Sequence, residues 1–124
     1  MKMLIVDDSK AMRAFLQHIA SELSFKTEEA EDGRAGLNKL IKNDPQEPFD
    51  VALVDWDMPV MTGIELVQTV RRNKDFRSLK MMMVTTQNTM ERISAALEAG
   101  ADDFLMKPVT KESLAEKLQI LGLV

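Results

Sequence analysis

Acidic and basic side chains come directly after three short apolar runs of this sequence. These polar residues are Asp7 with Asp8 (after 3–6), Asp55 (after 51–54) and Lys107 (after 104–106). Continuous apolar runs are typical of buried parallel strands, and ligands of parallel sheets bind at the carboxyl ends of the strands. We therefore expect the carboxylates and the ammonium group to meet in one crevice. A fourth apolar run ends at Thr85, which adds a hydroxyl group.

Three carboxylates in one crevice repel one another unless a cation neutralises them. Oxygen ligands suit Mg²⁺ better than zinc, and the sequence has no cysteine and a single histidine to bind a transition metal. Lys107 can serve as a point charge for a phosphoryl group. Each cluster taken alone also has a simpler interpretation: Asp7 and Asp8 as helix-start acids, Asp55 as a turn residue, and Lys107 as a surface cation.

The composition is that of a soluble globular protein. The chain has 124 residues, of which 45% are apolar and 29% are charged, so we expect one domain over residues 1–124. The absence of cysteine fits a reducing compartment. A net charge of −4 argues against direct binding of nucleic acid. Because the first apolar run stops at Asp7, we expect no leader and no membrane span, hence a cytoplasmic protein.

The apolar runs alternate with longer helical patterns, which predicts an α/β fold of βαβ units around a parallel sheet. Five strands are predicted, at 3–6, 25–30, 49–54, 79–84 and 101–106. The run Met81–Met83 is expected to fill the core.

Five helices are predicted between and after these strands. Residues that favour helix N-termini precede them: Ser9, Asp32, Thr62, Asn88 or Thr89, and Thr110. Thr62 and Glu65 form a capping-box pattern, and Gly100 is placed to end the fourth helix. Apolar positions at helical spacing predict the faces that pack on the sheet: Met12, Phe15, Leu16, Ile19 and Leu23; Leu37, Leu40 and Ile41; Ile64, Val67 and Val70; Met90, Ile93 and Leu97; Leu114, Leu118 and Leu121.

Taken together, the motifs resemble the receiver domain of two-component response regulators, and among these the chemotaxis-type, CheY-like regulators. The motifs, in chain order, are Leu4–Asp8, Asp55–Pro59 followed by Met61–Gly63, Val84–Thr86, and Gly100–Asp102 leading to Lys107-Pro108. The resemblance covers essentially the whole chain. It implies a flavodoxin-like, doubly wound five-stranded sheet with the strand order 2-1-3-4-5 that characterises the family.

The resemblance also implies that Asp55 is the phosphoacceptor. A histidine kinase would phosphorylate it in a Mg²⁺-dependent reaction, with Mn²⁺ as an alternative ion. Asp8 would bind the metal directly and Asp7 largely through water. Asp55 and the backbone carbonyl of Asp57 would complete the protein ligands. The protein would then be a signalling switch that catalyses only its own phosphorylation and dephosphorylation, and not an enzyme.

The remaining roles concern the readout of the phosphoryl group. By the resemblance, Thr85 and Lys107 contact its oxygens, and Phe104 takes the position of an aromatic side chain that follows Thr85 on activation. The face formed by the fourth and fifth strands and helices would then control a downstream protein, with chemotaxis as one possible pathway. We expect a monomer.

Three residues depart from frequent family choices. Phe104 lacks the hydroxyl of the common tyrosine, so a switch there relies on packing. Thr86 is bulkier than the usual alanine, which narrows access to the phosphate. Asp57 carries a carboxylate where several relatives have asparagine, which is expected to change the rates of phosphorylation or dephosphorylation.

Two other functions remain as alternatives. A haloacid-dehalogenase-like phosphatase also uses an Asp-x-Asp motif, but in that class the motif follows the first strand, and here it follows the third. A receiver-like binding module that works without phosphorylation is the second alternative. The presence of all the acids together with Thr85 and Lys107 argues against it.

Overall fold

The computed structural model describes residues 1–124 as alternating strands and helices. The strands are β1 (Lys2–Val6), β2 (Lys26–Ala30), β3 (Val51–Asp55), β4 (Lys80–Thr85) and β5 (Asp103–Met106). The helices are α1 (Lys10–Glu22), α2 (Gly33–Lys42), α3 (Gly63–Arg71), α4 (Met90–Ala99) and α5 (Lys111–Ile120). A single 3₁₀ turn at Lys74–Phe76, which the sequence patterns did not predict, joins α3 to β4.

All strand pairs are parallel, and the sheet has the order β2-β1-β3-β4-β5. The predicted α/β class and flavodoxin-like order are therefore confirmed. The chain runs outward from β1 in both directions, so the strand order reverses between β1 and β3. In doubly wound sheets the crevice at the carboxyl ends of two such strands is the usual ligand position.

Helices cover both faces of the sheet and form two apolar cores. One core packs α1 and α5 against the sheet, and the other packs α2, α3 and α4. The side chains of Met81, Met82 and Met83 alternate between the two cores and are all fully buried, as predicted. None of the helices combines the length and the apolar character that a bilayer span requires.

The helix ends follow the predicted capping chemistry. Side-chain oxygens at the helix starts accept hydrogen bonds from backbone N–H groups of the first turn at Ser9, Asp32, Thr62, Thr89 and Thr110. Thr89, not Asn88, therefore caps α4. The capping box of Thr62 and Glu65 is complete, and Gly100 ends α4 with a φ of 110°.

Four apolar residues predicted to pack on the sheet are exposed instead. They are Phe15, Ile41, Met90 and Leu97. Adjacent helical residues lie about 100° apart, so when Leu16 and Leu40 point into the core their neighbours Phe15 and Ile41 fall at its edge. Met90 is the first residue of α4, and in the same helix the smaller Ala96 takes the buried position next to Leu97. The prediction of their burial was wrong.

Candidate functional site

Three acidic side chains meet at the carboxyl ends of β1 and β3. Asp55 is the last residue of β3, and Asp7 and Asp8 follow β1. Their carboxylate oxygens lie within 4.8 Å of one another. Asp7 and Asp55 are buried, with 1% and 5% exposure, whereas Asp8 is exposed to solvent. The fold thus brings together acids that are far apart in the sequence, in an arrangement suited to a metal ion.

The buried carboxylate of Asp55 has an altered acidity. Burial raises its pKa from 3.8 to about 6, and the nearby charge of Asp7 acts in the same direction. A hydrogen bond from Lys107 partly opposes this rise. Asp55 therefore stays mostly ionised at neutral pH but holds its negative charge at a cost in free energy.

Asp7 has one satisfied and one unsatisfied carboxylate oxygen. The Ser9 N–H donates to Oδ1 at 2.9 Å, while Oδ2 is buried and has no hydrogen-bond partner. Burial raises the pKa of Asp7, although the bond from Ser9 lowers it in part. A buried oxygen of this kind needs a compensating charge. Its position beside two other carboxylates fits a small divalent cation with oxygen ligands.

Lys107 brings a positive charge to the acids. Its Nζ donates to Oδ1 of Asp55 at 3.2 Å and lies 3.7 Å from Oδ2 of Asp7. Burial lowers the pKa of the ammonium, but the hydrogen bond to Asp55 and the charges of the acids outweigh this effect and raise it overall. The backbone N–H of Lys107 donates to the carbonyl of Thr85 at 2.8 Å, and the Lys107–Pro108 peptide is cis.

The Thr85 hydroxyl lies at the end of β4 and is buried. Its Oγ1 accepts from the Gln87 N–H at 3.1 Å and from Nη1 of Arg92 at 3.3 Å, and it lies 3.3 Å from the Gln87 carbonyl as a donor. Its hydrogen bonds are therefore made to the loop after β4 and to α4, and none is made to Asp55.

The loop after β3 continues the site through Trp56 and Asp57. The Trp56 N–H donates to Val84, and the Trp56 carbonyl accepts from Gly63 at the start of α3. The Asp57 carbonyl accepts no backbone hydrogen bond. The Asp57 carboxylate points to solvent and pairs with Arg92 at 3.4 Å. Sequence reasoning missed Arg92, because no motif or spacing distinguishes it from other surface arginines.

Phe104 is half-buried on β5 and packs against the core shared by α2, α3 and α4. In the β4–β5 register it pairs with Met83, two residues before Thr85, so Phe104 and Thr85 lie on the same face of the sheet. Lys117 of α5 lies 4.7 Å from the centre of the Phe104 ring and donates to Asp103 at 3.0 Å. The predicted switch pair thus occupies neighbouring strands.

Comparisons with known proteins agree on one family. The family profile of the response regulator receiver domain matches residues 3–119. The chain is 39% identical to chemotaxis protein CheY-3 of Vibrio cholerae, over 95% of this chain and 88% of that protein. It is 36% identical to chemotaxis protein CheY1 of Helicobacter pylori, over 98% of this chain and 96% of that protein.

Solved structures show the same likeness in three dimensions. The chemotaxis response regulator CheY4 of Vibrio cholerae superimposes with a TM-score of 0.88 at 36% identity, and 97% of each chain is covered. A CheY-like receiver domain protein of Methanospirillum hungatei superimposes with a TM-score of 0.82 at 32% identity, covering 97% of this chain and 91% of that one.

Proposed function

The chain belongs to the response regulator receiver domain family, and we propose that Asp55 is its phosphoacceptor. Members of this family are phospho-receiver switches of two-component systems and not enzymes in the usual sense. The observation that carries the assignment is the cluster at the β1–β3 crevice, where three carboxylates lie within 4.8 Å and Lys107 contacts Asp55 at 3.2 Å.

Phosphoryl transfer needs positioning and charge stabilisation more than covalent help from the protein. In our proposal an ionised Asp55 oxygen attacks the phosphorus of a phosphohistidine on the kinase. The new O–P bond forms as the N–P bond breaks, and the imidazole leaves. Lys107, already beside Asp55, stabilises the negative charge on the transferring phosphoryl oxygens.

The metal ligands we propose are Asp7, Asp8, Asp55 and the backbone carbonyl of Asp57. Bound there, Mg²⁺ (or Mn²⁺) supplies positive charge for the carboxylates and the phosphoryl oxygens. Two features support this set: the unpaired buried Oδ2 of Asp7 and the Asp57 carbonyl without a backbone partner.

Thr85 and Phe104 are the proposed switch. To donate to a phosphoryl oxygen, the Thr85 hydroxyl must give up the hydrogen bond that it donates to the Gln87 carbonyl. The space that the Thr85 side chain leaves is available to Phe104, which lies on the same face of the sheet. We propose that the surface of β4, α4, β5 and α5 then controls a downstream protein.

The wider role is proposed from the relatives. We infer that a histidine kinase is the donor, that the protein is a cytoplasmic monomer whose single domain spans residues 1–124, and that it acts in chemotaxis, as the names of the relatives indicate for them.

The decisive test is incubation with Mg²⁺ and either acetyl phosphate or phosphoramidate, followed by intact mass. We expect one phosphoryl group on the protein and on Asp75→Asn, an exposed control far from the crevice, and none on Asp55→Asn. Absence of the adduct with both donors, together with no binding of beryllofluoride, would favour a phosphorylation-independent binding module. Multiple turnover of unrelated phosphate esters would favour a phosphatase.

A further inference from the structure

Arg92 of α4 contacts three parts of the site at once. Its Nη2 lies 3.4 Å from Oδ1 of Asp57, its Nη1 donates to the Thr85 hydroxyl at 3.3 Å, and its Cζ lies 4.4 Å from the centre of the Trp56 ring. A planar guanidinium suits this combination, because it can stack on an aromatic face while its edge donates hydrogen bonds. Arg92 thus joins α4 to the loop after β3.

The two partners of the Arg92–Asp57 ion pair differ in their exposure to solvent. The Arg92 side chain is 21% exposed, whereas the Asp57 side chain is 67% exposed. An ion pair with so exposed a partner adds little to stability. The stack on Trp56 and the bond to Thr85 hold the guanidinium in place, so a fixed positive charge stands beside a solvent-facing carboxylate. We therefore expect the ion pair to affect the local charge near Asp55 more than the stability of the fold.

Negative charge predominates at this end of the sheet. Asp57 lies two residues after Asp55, so it adds a fourth carboxylate to the three clustered acids. Lys107 faces Asp55 and Asp7, and Arg13 is paired with Glu29 at 3.2 Å. Arg92 is the cation that is paired with Asp57. Without it, an anionic phosphodonor would meet an uncompensated carboxylate on its way to Asp55.

We propose that Arg92 is a positioning residue for the phosphorylation of Asp55, which by pairing with Asp57 over the Trp56 ring removes the repulsion between Asp57 and an incoming anionic phosphodonor. This inference rests on the proposed phosphoacceptor function. It assigns Arg92 no contact with the reacting atoms, and it predicts that removing the Asp57 charge as well restores the rate lost with Arg92.

The test compares phosphorylation rates of Arg92→Gln, Asp57→Asn and the double variant, followed by intact mass with acetyl phosphate and Mg²⁺. Arg77→Gln is the matched control, since it removes the same charge from an exposed arginine that precedes β4, whereas the site lies beyond the other end of that strand. We expect Arg92→Gln to lower the second-order rate constant by about tenfold at low salt. Arg77→Gln should leave it unchanged.

The double variant separates charge from structure. Because the charges of Arg92 and Asp57 act additively on the donor, the double variant has the same net charge as the native pair and should be phosphorylated within about twofold of the native rate. Raising the ionic strength should shrink the effect of Arg92→Gln on the native background. Phosphoramidate, which carries less negative charge than acetyl phosphate at neutral pH, should show a smaller effect. Arg92→Lys should keep a rate between those of the native protein and Arg92→Gln.

Two results would overturn the inference. Equal rates for Arg92→Gln and Arg77→Gln would show that the Asp57 charge does not hinder the donor. A double variant as slow as Arg92→Gln would show that Arg92 acts through Thr85 or through the fold. If the native protein itself took up no phosphoryl group, the proposed phosphoacceptor function would be wrong. If the native protein were phosphorylated and one of the two results above were found, only the inference about Arg92 would be wrong.

Discussion

The ammonium of Lys107 lies 3.2 Å from a carboxylate oxygen of Asp55, although the two residues are 52 positions apart in the sequence. Asp55 ends β3 and Lys107 follows β5, so one strand, β4, lies between the elements that carry them. The long lysine side chain spans that strand's end. The contact holds a positive charge against the buried carboxylate that we propose as the phosphoacceptor.

Replacing Lys107 by methionine should slow phosphorylation by about a hundredfold, since the ammonium stabilises charge that develops on the phosphoryl oxygens. It should also raise the pKa of Asp55 above about 6, because the hydrogen bond from Lys107 lowers that pKa. Phosphorylation rates measured by intact mass across a pH series report both effects. Lys42→Met, an exposed lysine at the far end of α2, is the control. An unchanged rate in Lys107→Met would contradict the proposed role.

Replacing Asp55 by asparagine should stabilise the metal-free protein at neutral pH by about 1 to 2 kcal/mol. In the fold, burial and the charge of Asp7 raise the pKa of Asp55 from 3.8 to about 6. The folded state therefore binds the proton more tightly than the unfolded state. This contribution to stability is fully present below pH 3.8 and is lost as the pH rises through about 6.

Urea unfolding at several pH values, with a chelator present, tests whether the contribution of Asp55 to stability falls as the pH rises. The advantage of Asp55→Asn over the native protein should be largest at neutral pH and should shrink as the pH falls below about 6. Asp75→Asn, an exposed carboxylate, should show no such trend. If the Asp55→Asn advantage grew on acidification, the raised pKa would be wrong.

Magnesium should raise the melting temperature and change the fluorescence of Trp56, the only tryptophan and the neighbour of Asp55. An ion that binds only the folded state adds about 2.7 kcal/mol at a hundred times its dissociation constant. Asp8→Asn should abolish both responses, while Asp75→Asn should keep them. Melting curves at matched ionic strength provide the measurement, and identical curves with and without Mg²⁺ would contradict the site.

Replacing Gly63 by alanine should destabilise the fold by about 1 to 3 kcal/mol and disturb the site with it. An added Cβ would collide with the backbone carbonyl of Asp55 and would lie 2.7 Å from a methyl carbon of Met83. Gly36→Ala is the comparison, because its Cβ would meet only side-chain methyl groups, the nearest at 3.0 Å on Val6. We expect a larger loss of stability and of Mg²⁺ affinity in Gly63→Ala. A larger loss of stability in Gly36→Ala than in Gly63→Ala would show that the β3–α3 connection can shift to make room for the added methyl group.

Strand positions and helix starts could be predicted from the sequence because both depend on local chemistry. A run such as Val51–Val54 reads as a buried strand wherever it lies, and Thr62 caps a helix through atoms three residues away. The meeting of Asp7, Asp8 and Asp55 followed from parallel strands that end at one edge. The motif resemblance supplied the strand order, which periodicity alone does not contain.

Long-range side-chain contacts could not be predicted in the same way. Phe15 and Leu16 are equally apolar, and the helix's rotation against the sheet decides which is buried. Lys2 would ordinarily be expected on the surface, yet it is buried, with its ammonium 3.0 Å from Glu28 and 4.4 Å from the centre of the Phe49 ring. The contact of Arg92 with Asp57 likewise depends on how α4 approaches the loop after β3.

Oxidation of the buried methionines of β4 reports how often the central sheet opens to solvent. Peroxide converts a thioether to a sulfoxide only where it can reach the sulfur. Met81, Met82 and Met83 are fully buried, whereas Met90 is 73% exposed. Met90 should therefore be oxidised at the rate of a freely accessible thioether at the peroxide concentration used. The three methionines of β4 should be oxidised only during the fraction of time in which the central sheet is open. Their sulfoxides would accumulate in proportion to that fraction, on the strand that ends at Thr85.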